Sequence, residues 1–158
     1  MFASIAPNIE VLAETTNMDT VVLSTTEILS VSLDVVDENV KNGNFDEAKQ
    51  LTKENSEFFS LQVITLRESN SEITDEIHIL LLDMHNEIKD GNENLVSNNI
   101  ATIKNLLKQY EINSPDYGMV NAMILTIVDE QYQMANKNGE EYRYEVSEKL
   151  LDRVIVLF

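Results

Sequence analysis

Val40-Lys41-Asn42-Gly43-Asn44, Ile88-Lys89-Asp90-Gly91-Asn92 and Asn136-Lys137-Asn138-Gly139-Glu140 hold three of the chain's four glycines, at intervals of 48 residues. A glycine directly after Asn or Asp, at the end of a helical pattern, is the usual left-handed stop, because it has no Cβ to clash there. The Lys two residues earlier complements the negative end of a helix. The matched stops predict an all-α, up-and-down bundle of about six helices, arranged as three αα-hairpins with a 48-residue spacing.

The stretches between the stops carry the 3.6-residue period. A first helix is expected from Asp19 or Ser24 to Asn42, with Val22, Leu29, Leu33, Val36 and Val40 on one face. A second begins at the cap Asn44, carries Asp46 and Glu47 in its first turn, and runs through Phe58, Phe59 and Leu66 to about Ser69. Asn70-Ser71 is the expected second turn, with Ser71 as a cap. The third helix has the cleanest pattern: Ile73, Ile77, Leu80, Leu81, Met84 and Ile88. Ile79 and Leu82 widen its apolar stripe and mark it as a surface contacted on two sides, a candidate protein-interaction face. A fourth helix is expected from Asn92 or Glu93. Ser114-Pro115 and Gly118 then supply turn chemistry. A fifth helix follows, and a sixth runs from Glu140 or Glu141 towards Phe158.

At 158 residues the chain is one domain by size and long enough to bury a core. The formal net charge is −17. That disfavours nucleic acid, whose phosphates need a basic face, and disfavours docking on anionic lipid. It permits cations, basic protein partners or plain solubility. Cysteine is absent, so disulfides, thiolate metal sites and thiol nucleophiles are excluded.

Met1 to Ala13 carries one charge, Glu10, and is too short to span a membrane. Val11-Leu12-Ala13 before Glu14 suits a signal-peptidase site, although the segment has no basic start. Residues 1–13 therefore read as the remnant of a secretory signal or as a flexible arm, ahead of a helical domain over 14–158. The first reading implies an extracytoplasmic protein; the second leaves the cytoplasm open.

His78 and His85 lie two turns apart on one helix, and Asp75 precedes His78 by three. A ferritin-like di-iron set needs Glu-x-x-His twice and two further Glu, so this fragment does not complete one. Carboxylates gather at Asp129, Glu130, Glu140, Glu141 and Glu145. If the fifth and sixth helices are antiparallel, these acids form a candidate oxygen-ligand site for a weakly bound divalent or ferric cation. Nucleophile elbows and phosphate-binding glycine loops are absent, and no walled cleft with sugar-stacking aromatics is suggested. No enzyme class is supported and no resident cofactor is expected.

The stretch Val120 to Tyr132, with Asp129-Glu130-Gln131-Tyr132, leads into Lys137-Asn138-Gly139, Glu141-Tyr142 and Leu151-Asp152-Arg153. This resembles a hairpin of the soluble, extracytoplasmic helical region attached to high-affinity iron permeases. Asn42 to Lys49 and Leu81 to Asn92 are similar to the alternating hairpins of that region. The permease's Arg-Glu-x-x-Glu membrane motif is missing: Leu66-Arg67-Glu68 continues as Ser69-Asn70. The resemblance implies a relative of the soluble region that does not itself transport. Its role would be a non-catalytic extracytoplasmic accessory or binding module linked to metal uptake, with a membrane protein as its partner. The competing readings are a structural or interaction subunit of a membrane-associated complex and a cytosolic regulatory bundle.

Overall fold

The computed structural model describes residues 17–155. Among the described residues there are five α-helices and no strand: α1 Met18–Lys41, α2 Phe45–Lys89, α3 Glu93–Leu107, α4 Tyr117–Asn138 and α5 Tyr142–Leu151. Gly43, Gly91 and Gly139 have φ of 77°, 71° and 67°. The first two close their helices with the same pair of bonds. Gly43 N–H donates to the Val40 carbonyl and Asn44 N–H to that of Asn39; Gly91 and Asn92 repeat this on Ile88 and Glu87. These are Schellman stops, in which the left-handed residue turns orphan carbonyls back towards donors.

The helix count departs from the expected six. The turn expected at Asn70-Ser71 falls inside α2, at a single residue with non-helical backbone, Asn70 (φ −158°, ψ 101°). Asn70, rather than Ser71, is the cap. Its Oδ1 accepts from Ile73 N–H at 3.0 Å, and its carbonyl accepts from the Thr74 hydroxyl at 2.7 Å. The two arms of α2, 45–69 and 71–89, are folded against each other. Ser60 Oγ lies 3.2 Å from His78 Nε2, the Phe59 and His78 rings are 6.1 Å apart, and Arg67 pairs with Asp75. Eighteen residues of straight helix would separate Ser60 from His78 by about 27 Å, so the chain must reverse at Asn70.

α1 sits at the centre and packs against each of the other four helices. It is buried well beyond the single stripe of Val22, Leu29, Leu33, Val36 and Val40, since Ile28, Val31 and Val35 are also enclosed. Small hydroxyl residues make this tolerable. Ser24, Thr25 and Thr26 are buried and donate to the carbonyls of Thr20, Val21 and Leu23. Ser32 donates to Asn55 Oδ1 on α2 at 2.7 Å, within the core. A helix enclosed on most sides needs its polar side chains satisfied in this way.

Both ends of the described chain are tied down. Asp19 accepts from Asn113 and Ser114 N–H, and Asp116 N–H donates to Thr20 Oγ1, so the α3–α4 loop is held on the start of α1. α5 stops at Leu151 instead of running towards Phe158. Val154 and Ile155 pack on the core as non-helical chain, and Ile155 exchanges two backbone hydrogen bonds with the Asn121 side chain. Among the described residues no helix is long and apolar enough to cross a membrane. The expected segment 1–13 and its boundary at Glu14 lie outside the described residues.

Candidate functional site

A cavity of about 680 Å³ opens between the first turns of α2 and the α4–α5 turn. Asp46, Glu47 and Gln50 form one wall; Glu130, Gln133, Met134 and Lys137 form the other; Glu140, Tyr142 and Arg143 close the end. The left-handed Gly139 places the end group, because it turns α4 directly into α5 and brings Arg143 back beneath Gln131.

Arg143 organises the floor. It is buried, yet each face of its guanidinium has a partner: Nη2 is 3.1 Å from Glu54 Oε1, Nη1 donates to Gln131 Oε1 at 3.0 Å, and Nε donates to Glu140 Oε2 at 3.1 Å. The guanidinium also stands 5.0 Å from the centroid of the Tyr142 ring. Burial, the largest single influence, pulls the Arg143 pKa down, but the charge of Glu54, the Tyr142 hydroxyl, the hydrogen bond to Glu54 and the charge of Glu140 together raise it, so the guanidinium stays protonated. Burial raises Glu54 above the usual carboxylate range, with Arg143 opposing. Burial also pushes Glu140 upward, but hydrogen bonds from Tyr142 and Asn138 and the Arg143 charge reverse this and hold it below its ordinary value. The Tyr142 hydroxyl is raised, by burial first and by its bond to Glu140 second.

With Arg143 and Glu140 engaged with each other, the lining is left with Asp46, Glu47 and Glu130 against Lys137, and Asp46 also lies 3.6 Å from Lys49 Nζ. Such a cleft suits a cation, with Met134 and Tyr142 offering apolar contact to its carbon skeleton.

The five acids expected to form a cation site are divided by the fold. Glu130 and Glu140 line the cleft together. Asp129 is exposed and accepts from Gln133, one turn along α4. Glu141 is exposed at the turn. Glu145 faces α1, where it hydrogen-bonds Glu38 and lies 3.8 Å from Lys149 Nζ. The first cause of its raised pKa, about 7, is that bond to Glu38. Among the described residues no three His, Asp or Glu side chains are grouped to hold a metal ion. The donors therefore do not fit a divalent or ferric ion bound by these five residues. His78 contacts Ser60 and Phe59, and Asp75 is paired with Arg67, so the carboxylate-x-x-His fragment serves the fold-back of α2.

Ile79 and Leu82 are 60 % and 55 % exposed, without the second contact that the wide stripe suggested. Leu61 and Ile64 on the other arm are exposed as well. The sequence reading missed Glu54, Gln131 and Arg143. A cue was available for one of them: Glu54 lies among Leu51, Asn55 and Phe58 on the buried side of α2.

Fold and site define an all-helical bundle with an acidic cleft floored by a buried, saturated arginine. Comparison with known protein families, with characterised proteins and with solved structures finds no match.

Proposed function

We propose that this chain is a non-catalytic accessory binding module that recognises an organic cation, an ammonium or guanidinium group, in the cleft between α2 and the α4–α5 turn. The observation that carries this is the saturation of Arg143: the one cation on the cleft floor is spent on Glu54, Gln131 and Glu140, leaving acidic walls. An ammonium or guanidinium needs hydrogen-bond acceptors and counter-charge rather than a closed ligand shell, so it tolerates the spread of acids that a metal ion does not. The resemblance to the permease-associated region supports an extracytoplasmic setting in metal uptake, beside a membrane-protein partner.

Calorimetric titration with spermidine at about 0.15 M salt, where diffuse attraction is screened, tests the cleft. One saturable site, weakened in Glu47→Gln/Glu130→Gln, is expected. Absence of saturable binding removes the reading. Mn²⁺ titration is the counter-test, because saturable binding lost in Glu141→Gln/Glu145→Gln would restore the metal set. Mass spectrometry of the native protein tests the setting: a chain starting at or near Glu14 supports export, and an intact Met1 in the cytosol removes it.

A further inference from the structure

The fold-back of α2 creates an apolar ridge that the cleft reading does not use. Ser60 and His78 meet where the two arms meet. Ile64 stands one turn on from Ser60, and Leu82 one turn on from His78, so each shares its arm's face with one member of that contact. Ile64 is 78 % exposed and Leu82 55 %. Leu61 and Ile79, each one residue on from the contact pair, extend the apolar surface along the flanks. Four large aliphatic side chains on one hairpin, in a chain this acidic, are costly to leave in water unless something covers them.

The rim chooses the occupant. Between positions 57 and 83 the carboxylates are Glu57, Glu68, Glu72, Asp75, Glu76 and Asp83, and the single Lys or Arg, Arg67, is already paired with Asp75. A second copy of this chain would bring an equally acidic rim against this one, and an anionic membrane would be repelled in the same way. We infer that the ridge docks a basic amphipathic helix of a partner protein, its apolar stripe on Leu61, Ile64, Ile79 and Leu82 and its Lys or Arg residues over the flanking carboxylates. Helix-on-groove docking of this kind uses anchors at i, i+3, i+4 and i+7, a spacing the two antiparallel arms can receive.

The test uses a fluorescein-labelled Leu/Lys peptide of about 18 residues, five helical turns, with leucines at i, i+3, i+4 and i+7. Binding to the full chain is followed by anisotropy at about 0.15 M salt. A scrambled peptide of equal composition is the control for charge alone. Saturable one-to-one binding is expected, with the scrambled peptide at least tenfold weaker. Ile64→Ser/Leu82→Ser should weaken binding at least tenfold, and Glu72→Gln/Glu76→Gln several-fold; circular dichroism confirms that these surface variants stay folded. Glu47→Gln/Glu130→Gln should leave peptide binding unchanged, which separates this surface from the cleft. Equal binding of the scrambled peptide, or full affinity in Ile64→Ser/Leu82→Ser, overturns the inference. So does loss of peptide binding in the cleft variant, which would place the peptide in the cleft. Sedimentation showing a dimer that Ile64→Ser/Leu82→Ser abolishes would make a second copy the occupant and overturn it too.

Discussion

Arg143 Nη2 stands 3.1 Å from Glu54 Oε1, with both side chains shut away from solvent and 89 positions apart in the chain. The pair joins the first arm of α2 to α5, and through Gln131 it also joins α4. Breaking such a pair on one side strands a buried charge, which typically costs about 3–5 kcal/mol. Arg143→Met, which strands Glu54, should lower stability by about that amount, and Glu54→Leu should cost less, because Arg143 keeps Glu140 and Gln131. The double variant should recover a large part of the loss, because neither charge is then left unpaired. Urea denaturation of the four proteins measures this. Strictly additive losses would mean that the two residues do not act as a pair.

Gly91→Val should destabilise by roughly 1 kcal/mol or more, since L-residues pay about 1–2 kcal/mol in the left-handed region and β-branched ones do worst. A Cβ at Gly91 would meet no atom within 4 Å, so the cost is one of backbone conformation alone. Gly91→Asn is then the discriminating partner: it should cost much less, because Asn visits this region readily. Equal losses in the two variants would point to packing instead.

Asn70 ends one arm of α2 and caps the next, through its Oδ1 to Ile73 N–H. Asn70→Ala should cost about 1 kcal/mol, the usual loss of a cap. It should also raise amide exchange first at Ile73 and the residues just after it, where the orphaned donors lie. Hydrogen exchange read residue by residue checks this. A uniform change across all five helices would show that the cap does not act locally.

Stability should fall as pH rises through about 7, the value to which Glu145 is pushed by its bond to Glu38 and by burial. The sign follows from linkage. A carboxyl whose folded pKa is raised contributes stability that is full below its ordinary value and lost above the folded one. Glu38 is lowered by the same bond and by Lys149, so its contribution is lost in the opposite direction, as pH falls below its ordinary value. Between these limits the pair and Lys149 hold α5 on α1. The thermal midpoint should thus be higher at pH 6 than at pH 8. Glu145→Gln should flatten much of that slope, while Glu54 and Glu87, both raised by burial, keep a remainder. An unchanged slope in Glu145→Gln would clear this pair of the effect.

Local chemistry was legible in the chain. The left-handed backbone at Gly43, Gly91 and Gly139 is a demand that a single residue type meets, and the periodic stretches on either side report their own buried stripes. The helix start at Asn92 belongs to the same class, because a cap bond spans three residues, whereas the cap expected at Ser71 falls on Asn70 instead. The chain did not show that a single non-helical residue, Asn70, suffices for the reversal between the two arms, since that depends on how closely the arms pack. Nor did it show α1 at the centre: Ser24, Thr25, Thr26 and Ser32 look like a solvated face until their hydroxyls are seen bonded to backbone or to Asn55. The acidic cluster is divided for the same reason. Asp129, Glu130, Glu140, Glu141 and Glu145 are neighbours in sequence, but the helical period sends Glu145 to α1 and Glu130 to the cleft. What the sequence determined by itself was the set of turns and helical segments, because each is decided within a few residues. The cleft, the buried Arg143–Glu54 pair and the ridge on α2 arise only on packing, because they depend on which distant side chains the core brings into contact.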